Sequence, residues 1–149
     1  MNQEDSGFFM KKGYRMPKTP VKPGEKWDSS TGNLITNLKV QSFILHPRAE
    51  EKVGLGPVKV SGKTFSGAGV ITKLEISVDG GKHWQLANLD SQHAEGGWQQ
   101  FEAEVQAKKL GKMTLMSRAT DSANQTQPMT QTWNPSGYLW NAVDKVAFE

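Results

Sequence analysis

Between Ile71 and Trp84 the chain reads ITKLEISVDGGKHW, a stretch that fits a β-hairpin better than any other local structure. Leu74, Ile76 and Val78 alternate with Lys73, Glu75 and Ser77. Successive side chains on a strand point to opposite faces, so this order sets an apolar row against a polar one. Asp79 offers a carboxylate to backbone N–H groups, and Gly80 and Gly81 accept positive φ without a steric penalty, which is turn chemistry. A three-residue loop of Gly80, Gly81 and Lys82 is expected to set Val78 opposite Trp84 and Ile76 opposite Leu86, all four on one face. The hairpin would then carry the Trp84 indole into a core between two sheets, with Ser77, Asp79, Gly80, Gly81 and Trp84 as its structural residues.

The rest of the chain repeats the period-two signal. LKVQSFILH runs to Pro47, and VKVSGKTF follows a turn at Gly54, Gly56 and Pro57. In WQQFEAEV, Phe101, Ala103 and Val105 alternate with Glu102 and Glu104. In KMTLMSRAT, Met113, Leu115, Ser117 and Ala119 share a face. DSANQTQP reads as a polar turn, residues 129–133 are expected to start a last strand, and Val143, Val146 and Phe148 alternate near the end. About seven short strands, each closed by Gly, Pro or Asn signals, predict an all-β, immunoglobulin-like antiparallel β-sandwich. Residues 1–35 hold Pro17, Pro20 and Pro23 without a sustained period and read as an extended arm or linker, leaving 36–149 as the domain. Phe8, Phe9, Tyr14 and Met16 make that arm too apolar for a solvated tail, so it is expected to lie along another surface.

Composition closes several routes. No apolar run approaches the roughly 20 residues that a membrane-crossing helix needs, and the start, MNQEDSGFFMKKGYR, lacks the layout of a signal peptide. Without cysteine there is no disulfide, thiolate nucleophile or thiolate metal site. The net charge of +3 is mild, and its one dense basic run, Lys11, Lys12, Arg15, Lys18, Lys22 and Lys26, reads as a solvated or partner-facing arm and not as a nucleic-acid surface. His46, His83 and His93 are isolated from one another and lack zinc-site spacing, no G-x-S-x-G elbow is present, and Glu102 with Glu104 is explained as a solvated strand face. No catalytic, cofactor-binding or metal residue is therefore assigned. Of the five tryptophans, Trp84 and Trp98 are expected in the core. Trp27, Trp133 and Trp140, placed among prolines and glycines, suit an interface as well as a core.

Ser77-Val78-Asp79-Gly80-Gly81-Lys82-His83-Trp84 fits S-x-D-x-G-x-x-W, which resembles the Asp-box hairpin. Four ordered segments go further: VKVSGKTFSGAGVITKLEISVDGGKHWQLA, a Trp-led strand, SRATDSANQTQP and WNPSGYLWNAV together resemble the C-terminal domain of the sulfite oxidase family of molybdenum oxidoreductases. The resemblance runs from about Asn37 to Glu149, while FFMKKGYRMPKTPVKPGE is similar to the segment joining that domain to the catalytic one. It implies an immunoglobulin-like dimerisation module, a homodimer, with molybdopterin held by a separate catalytic domain or subunit and with no cofactor in this chain. Tyr14, Arg15, Trp27, Trp133, Asn134, Ser136, Tyr138 and Trp140 are the interdomain or interface residues it suggests. Sulfite oxidases generally place an Arg in the tail motif where Asn134-Pro135-Ser136-Gly137 has Ser136, and a hydroxyl lacks the charge and forked donors of guanidinium. In its tail the chain is instead similar to the sulfur-dehydrogenase branch, which implies a periplasmic enzyme working with a cytochrome c. A free-standing immunoglobulin-like module binding a carbohydrate or protein ligand is the alternative reading of the same aromatics.

Overall fold

The computed structural model describes residues 7–91 and 96–149 and divides into two units. His93 lies outside the described residues. The smaller unit comprises residues 7–38 with Gln131–Trp140. It holds a short helix, α1 (Phe8–Lys12), a two-stranded sheet of β1 (Arg15–Met16) and β2 (Asn33–Leu34), and a 3₁₀ turn at Ser29–Thr31. Lys11 and Lys12 in the last turn of α1 suit the negative end of the helix dipole. Asp28 caps the 3₁₀ turn, its Oδ1 accepting from the Ser30 backbone and hydroxyl at 2.9 and 2.8 Å.

The larger unit, Lys39–Thr130 with Asn141–Glu149, is the sandwich. Its strands are β3 (Gln41–His46), β4 (Gly56–Phe65), β5 (Ile71–Ser77), β6 (Gln85–Leu86), β7 (Asn88–Leu89), β8 (Gln99–Ala107), β9 (Met113–Asp121) and β10 (Asp144–Phe148). One sheet has the order β3-β4-β8-β7 and the other β10-β9-β5-β6, with every pairing antiparallel. β6 and β7 are separated only by Ala87, whose N–H donates to the Leu74 carbonyl at 2.9 Å, so one short passage of chain leaves the β10-β9-β5-β6 sheet and joins the other. Counting that passage once, the described sandwich has seven strands. The expected all-β, immunoglobulin-like fold is what forms.

The core lies between the two sheets and follows the alternation. Val58 and Val60 of β4, Leu74 and Ile76 of β5, Phe101 and Val105 of β8, Leu115 and Ala119 of β9, and Phe148 of β10 are all buried. Gly62 makes the Phe101 ring fit: a Cβ there would lie 2.1 Å from the Phe43 carbonyl oxygen and 2.3 Å from Phe101 Cζ, so no larger residue is accommodated. Removing a buried ring of this kind typically costs about 3–5 kcal/mol.

A polar seam also crosses the core. The Ser117 and Ser42 hydroxyls lie 2.8 Å apart, and the Ser42 hydroxyl donates to Gln127 Oε1 at 2.6 Å. The same oxygen accepts from the Ala119 backbone N–H at 2.9 Å, while Gln127 Nε2 donates to the carbonyls of Asn141 at 3.4 Å and Ala142 at 3.1 Å. Asn141 Nδ2 reaches the Val40 carbonyl at 3.3 Å. Every member is paired, as burial demands.

Three expectations are corrected here. Ile76 faces Gln85, and Glu75 faces Leu86, so the hairpin is one residue out of the expected register. A one-residue slip turns every side chain over. Leu86 is 71% exposed, and Trp84, half-buried and absent from the core, lies against Arg118 on the outward face. Trp98 is likewise not in the core: it is 51% exposed, just ahead of β8, and packs on the outward rings of Phe65 and Phe43 with centroids 4.8 and 5.8 Å away. Phe101 fills the interior in its place. Finally, residues 129–133 form no strand; the last strand is β10.

Candidate functional site

The turn after β5 explains the changed register. The loop spans 78–84 because Ser77 and Asp79 gather its backbone donors instead of leaving them to a tight hairpin. Ser77 Oγ accepts from the Gly81 N–H at 2.9 Å and donates to Asp79 Oδ1 at 2.8 Å. The same Oδ1 accepts from the N–H groups of Lys82 and His83, each at 3.0 Å, and His83 Nδ1 lies 2.6 Å from Asp79 Oδ2. Gly80 and Gly81 adopt φ of 78° and 86°, the left-handed region that glycine accepts most readily. Trp84 Nε1 closes the loop on the Gly81 carbonyl at 2.9 Å. The His83 backbone N–H, then its ring, with smaller contributions from Ser77 and Lys82, hold the Asp79 carboxyl well below the usual carboxylate range. All five predicted hairpin residues thus meet in one turn. Its donors and acceptors are spent within the turn, on backbone and on one another, which makes it a clamp.

On the outward face beside this turn, the Arg118 guanidinium lies 4.1 Å from the centroid of the Trp84 ring. It also donates to Glu75 Oε2 through Nε at 3.1 Å and Nη2 at 2.9 Å, and Lys73 Nζ reaches that oxygen at 3.4 Å. Sequence reasoning missed Arg118 and Glu75, which the register places directly opposite each other.

The smaller unit holds all eight of the suggested interface residues. The rings of Tyr14 and Tyr138 stack at 5.5 Å with 19° between their planes. Ser136 Oγ donates to the Arg15 carbonyl at 3.1 Å, and Arg15 Nη1 donates to the Gly32 carbonyl at 2.9 Å. Asn134 holds its own turn, its Oδ1 accepting from the Ser136 N–H at 3.2 Å and its Nδ2 donating to the Tyr138 carbonyl at 3.1 Å. Trp27 is half-buried, and its ring leaves no room for a Cβ on Gly32. Trp133 and Trp140 are exposed, Trp140 by 67%. Tyr14 and Leu139 both take left-handed φ, 49° and 58°, a conformation costly for bulky side chains and concentrated where function over-determines the backbone.

Comparison with known proteins places this geometry. The family model described as the Mo-co oxidoreductase dimerisation domain matches residues 32–149, which takes in the whole sandwich. The chain belongs to this family. Human mitochondrial sulfite oxidase is 34% identical over 137 residues, a match covering 86% of this chain and 25% of that protein. Sulfite oxidase of Arabidopsis thaliana is 31% identical over 161 residues, covering 95% and 39%. The NADH nitrate reductase of Chlorella vulgaris is 35% identical over 131 residues, covering 82% and 41%. The dimerisation domain described here therefore spans a quarter to two-fifths of these relatives. Among solved structures, the sulfane dehydrogenase SoxCD from Paracoccus pantotrophus shares the fold, with a TM-score of 0.71 at 24% identity over 93% of this chain and 35% of that one.

Proposed function

We propose that this dimerisation domain pairs two copies of a sulfite-oxidase-like molybdenum oxidoreductase that oxidises a sulfur compound. The family match across the full sandwich carries the reading, and the sulfite oxidase relatives support the substrate class. The residues of this chain do not fit molybdopterin. The sequence has no cysteine, and among the described residues no three His, Asp or Glu side chains converge. The cofactor is accordingly assigned to a catalytic domain or subunit that this domain would brace, and it would supply the redox chemistry there. The arm and tail of the smaller unit, with Tyr14, Arg15, Trp27, Trp133, Asn134, Ser136, Tyr138 and Trp140, would face that catalytic partner. Ser136 in place of a guanidinium argues for a sulfur substrate other than sulfite. A cytochrome c in the periplasm would accept the electrons.

Static light scattering on the purified chain tests the pairing. A mass of two chains is expected at micromolar concentration, and a single-chain mass at high micromolar concentration would overturn it.

A further inference from the structure

The two outward sheet faces differ in how their charges are settled. On the β10-β9-β5-β6 sheet, Glu75, Arg118 and Lys73 already pair with one another. On the β3-β4-β8-β7 sheet, Lys59 and Lys63 of β4 stand exposed beside Glu102 and Glu104 of β8. The register sets Lys59 against Glu104, Ser61 against Glu102 and Lys63 against Gln100. Among the described residues no ion pair joins these lysines to these glutamates. One basic row thus runs beside one acidic row. At the end of both rows, where Thr64 faces Gln99, the Phe65 and Trp98 rings meet across the strands with Phe43 against them, all on the outside.

We infer that this face binds the same face of a second copy of the chain, about a two-fold axis running along the strands between β4 and β8. An isologous contact must be self-complementary, and the axis direction decides whether it is. Rotation about an axis along the strands carries β4 of one copy over β8 of the other. By the same register each Lys59 then lies on the partner's Glu104, each Lys63 lies diagonal to the partner's Glu102, and each Phe65 lies on the partner's Trp98. An axis lying in the sheet plane across the strands instead sets lysine on lysine and glutamate on glutamate, which is repulsive. Charge and aromatic placement select the same axis independently. The arrangement is face-to-face sheet packing with near-aligned strands, and the aromatic end supplies the desolvated contact that a charged face alone lacks.

This inference rests on the pairing proposed above, and charge exchange tests it separately. Two variants of the full chain, Lys59→Glu/Lys63→Glu and Glu102→Lys/Glu104→Lys, are measured alone and mixed, by sedimentation equilibrium with circular dichroism to verify folding. Each variant alone should self-associate at least about tenfold more weakly than the natural chain, because like charges then face each other. The equimolar mixture should recover the dimer, since the all-acidic face meets the all-basic one. A natural chain that dimerises while either variant pairs as tightly as before, or a mixture that fails to recover, overturns this face and leaves the pairing itself standing. A monomeric natural chain overturns both.

Discussion

Gln127→Leu removes the centre of the polar seam while keeping the volume. Gln127 is 3% exposed, and its amide makes four hydrogen bonds. The single Ser42 hydroxyl proton goes to Gln127, so Ser117 is the donor in the 2.8 Å bond between the two serines, and without Gln127 one of the two hydroxyl protons is left without an acceptor, a loss of about 1 kcal/mol. The Ala119 N–H is orphaned as well: it is fully buried, and an orphaned donor costs about 1–3 kcal/mol. The Asn141 and Ala142 carbonyls lose longer bonds, 3.4 and 3.1 Å, each worth about 0.5–1 kcal/mol. Together the change should destabilise by about 3–6 kcal/mol. Urea titration followed by circular dichroism should show a lower midpoint with an unchanged slope, the signature of lost stability without altered compactness. Ser42→Ala should cost roughly 1 kcal/mol by itself, and less in the Gln127→Leu background, because the two share one bond. A neutral or stabilising Gln127→Leu would refute the reasoning, showing that the seam offers no net advantage over an apolar contact.

Trp84→Ala should now cost only about 1–2 kcal/mol, from the Nε1–H bond to Gly81 and the Arg118 cation–π contact. A melting loss of the size typical of a core tryptophan would restore the inward register. Asp79 should titrate below its ordinary 3.8. Because its folded pKa is depressed, its contribution to stability is present above the unfolded value and is lost only as the pH falls through the lower folded value. Amide shifts of Lys82 and His83, followed by NMR as the solution is acidified, should stay constant past pH 3.8 and move below it; a midpoint at the ordinary value would sink the clamp.

Strand identity was legible because alternation is a local property. In β8 and β9 the alternating rows expected to share a face do so: Phe101, Val105, Leu115, Ser117 and Ala119 are buried, and Ala103 and Met113 are half-buried against the same core. Register was not legible, because it depends on loop length. The Gly80-Gly81 pair suggested a tight turn, but the side chains of Ser77 and Asp79 stabilise a wider one, and Trp84 turned outward with it. Trp98 misled for a related reason: hydrophobicity marks a residue for burial, whereas the pleat decides its face, and Phe101 three positions later claimed the interior. Gln127 was hidden in DSANQTQP, which reads as a solvated turn, because its partners Ser42 and Asn141 are distant in sequence. The suggested interface residues divide similarly. Local turn chemistry marked Asn134 and Ser136, while the stacking of Tyr14 on Tyr138 joins residues far apart in the chain.

The passage at Ala87 has one further consequence. β6 and β7 are two residues each, so the two sheet margins they form offer almost no template on which a foreign strand could grow. The opposite margins are blunted by other means. The Ile44 N–H of β3 is capped by Asp144 Oδ2 at 2.8 Å, and β10 is covered by the 50–53 segment through Glu50 N–H to the Ala147 carbonyl at 2.8 Å and Glu149 N–H to the Glu51 carbonyl at 2.9 Å. With its margins blunted against edge-to-edge growth, such a sandwich leaves the face-to-face pairing proposed above to be decided by side chains and not by backbone.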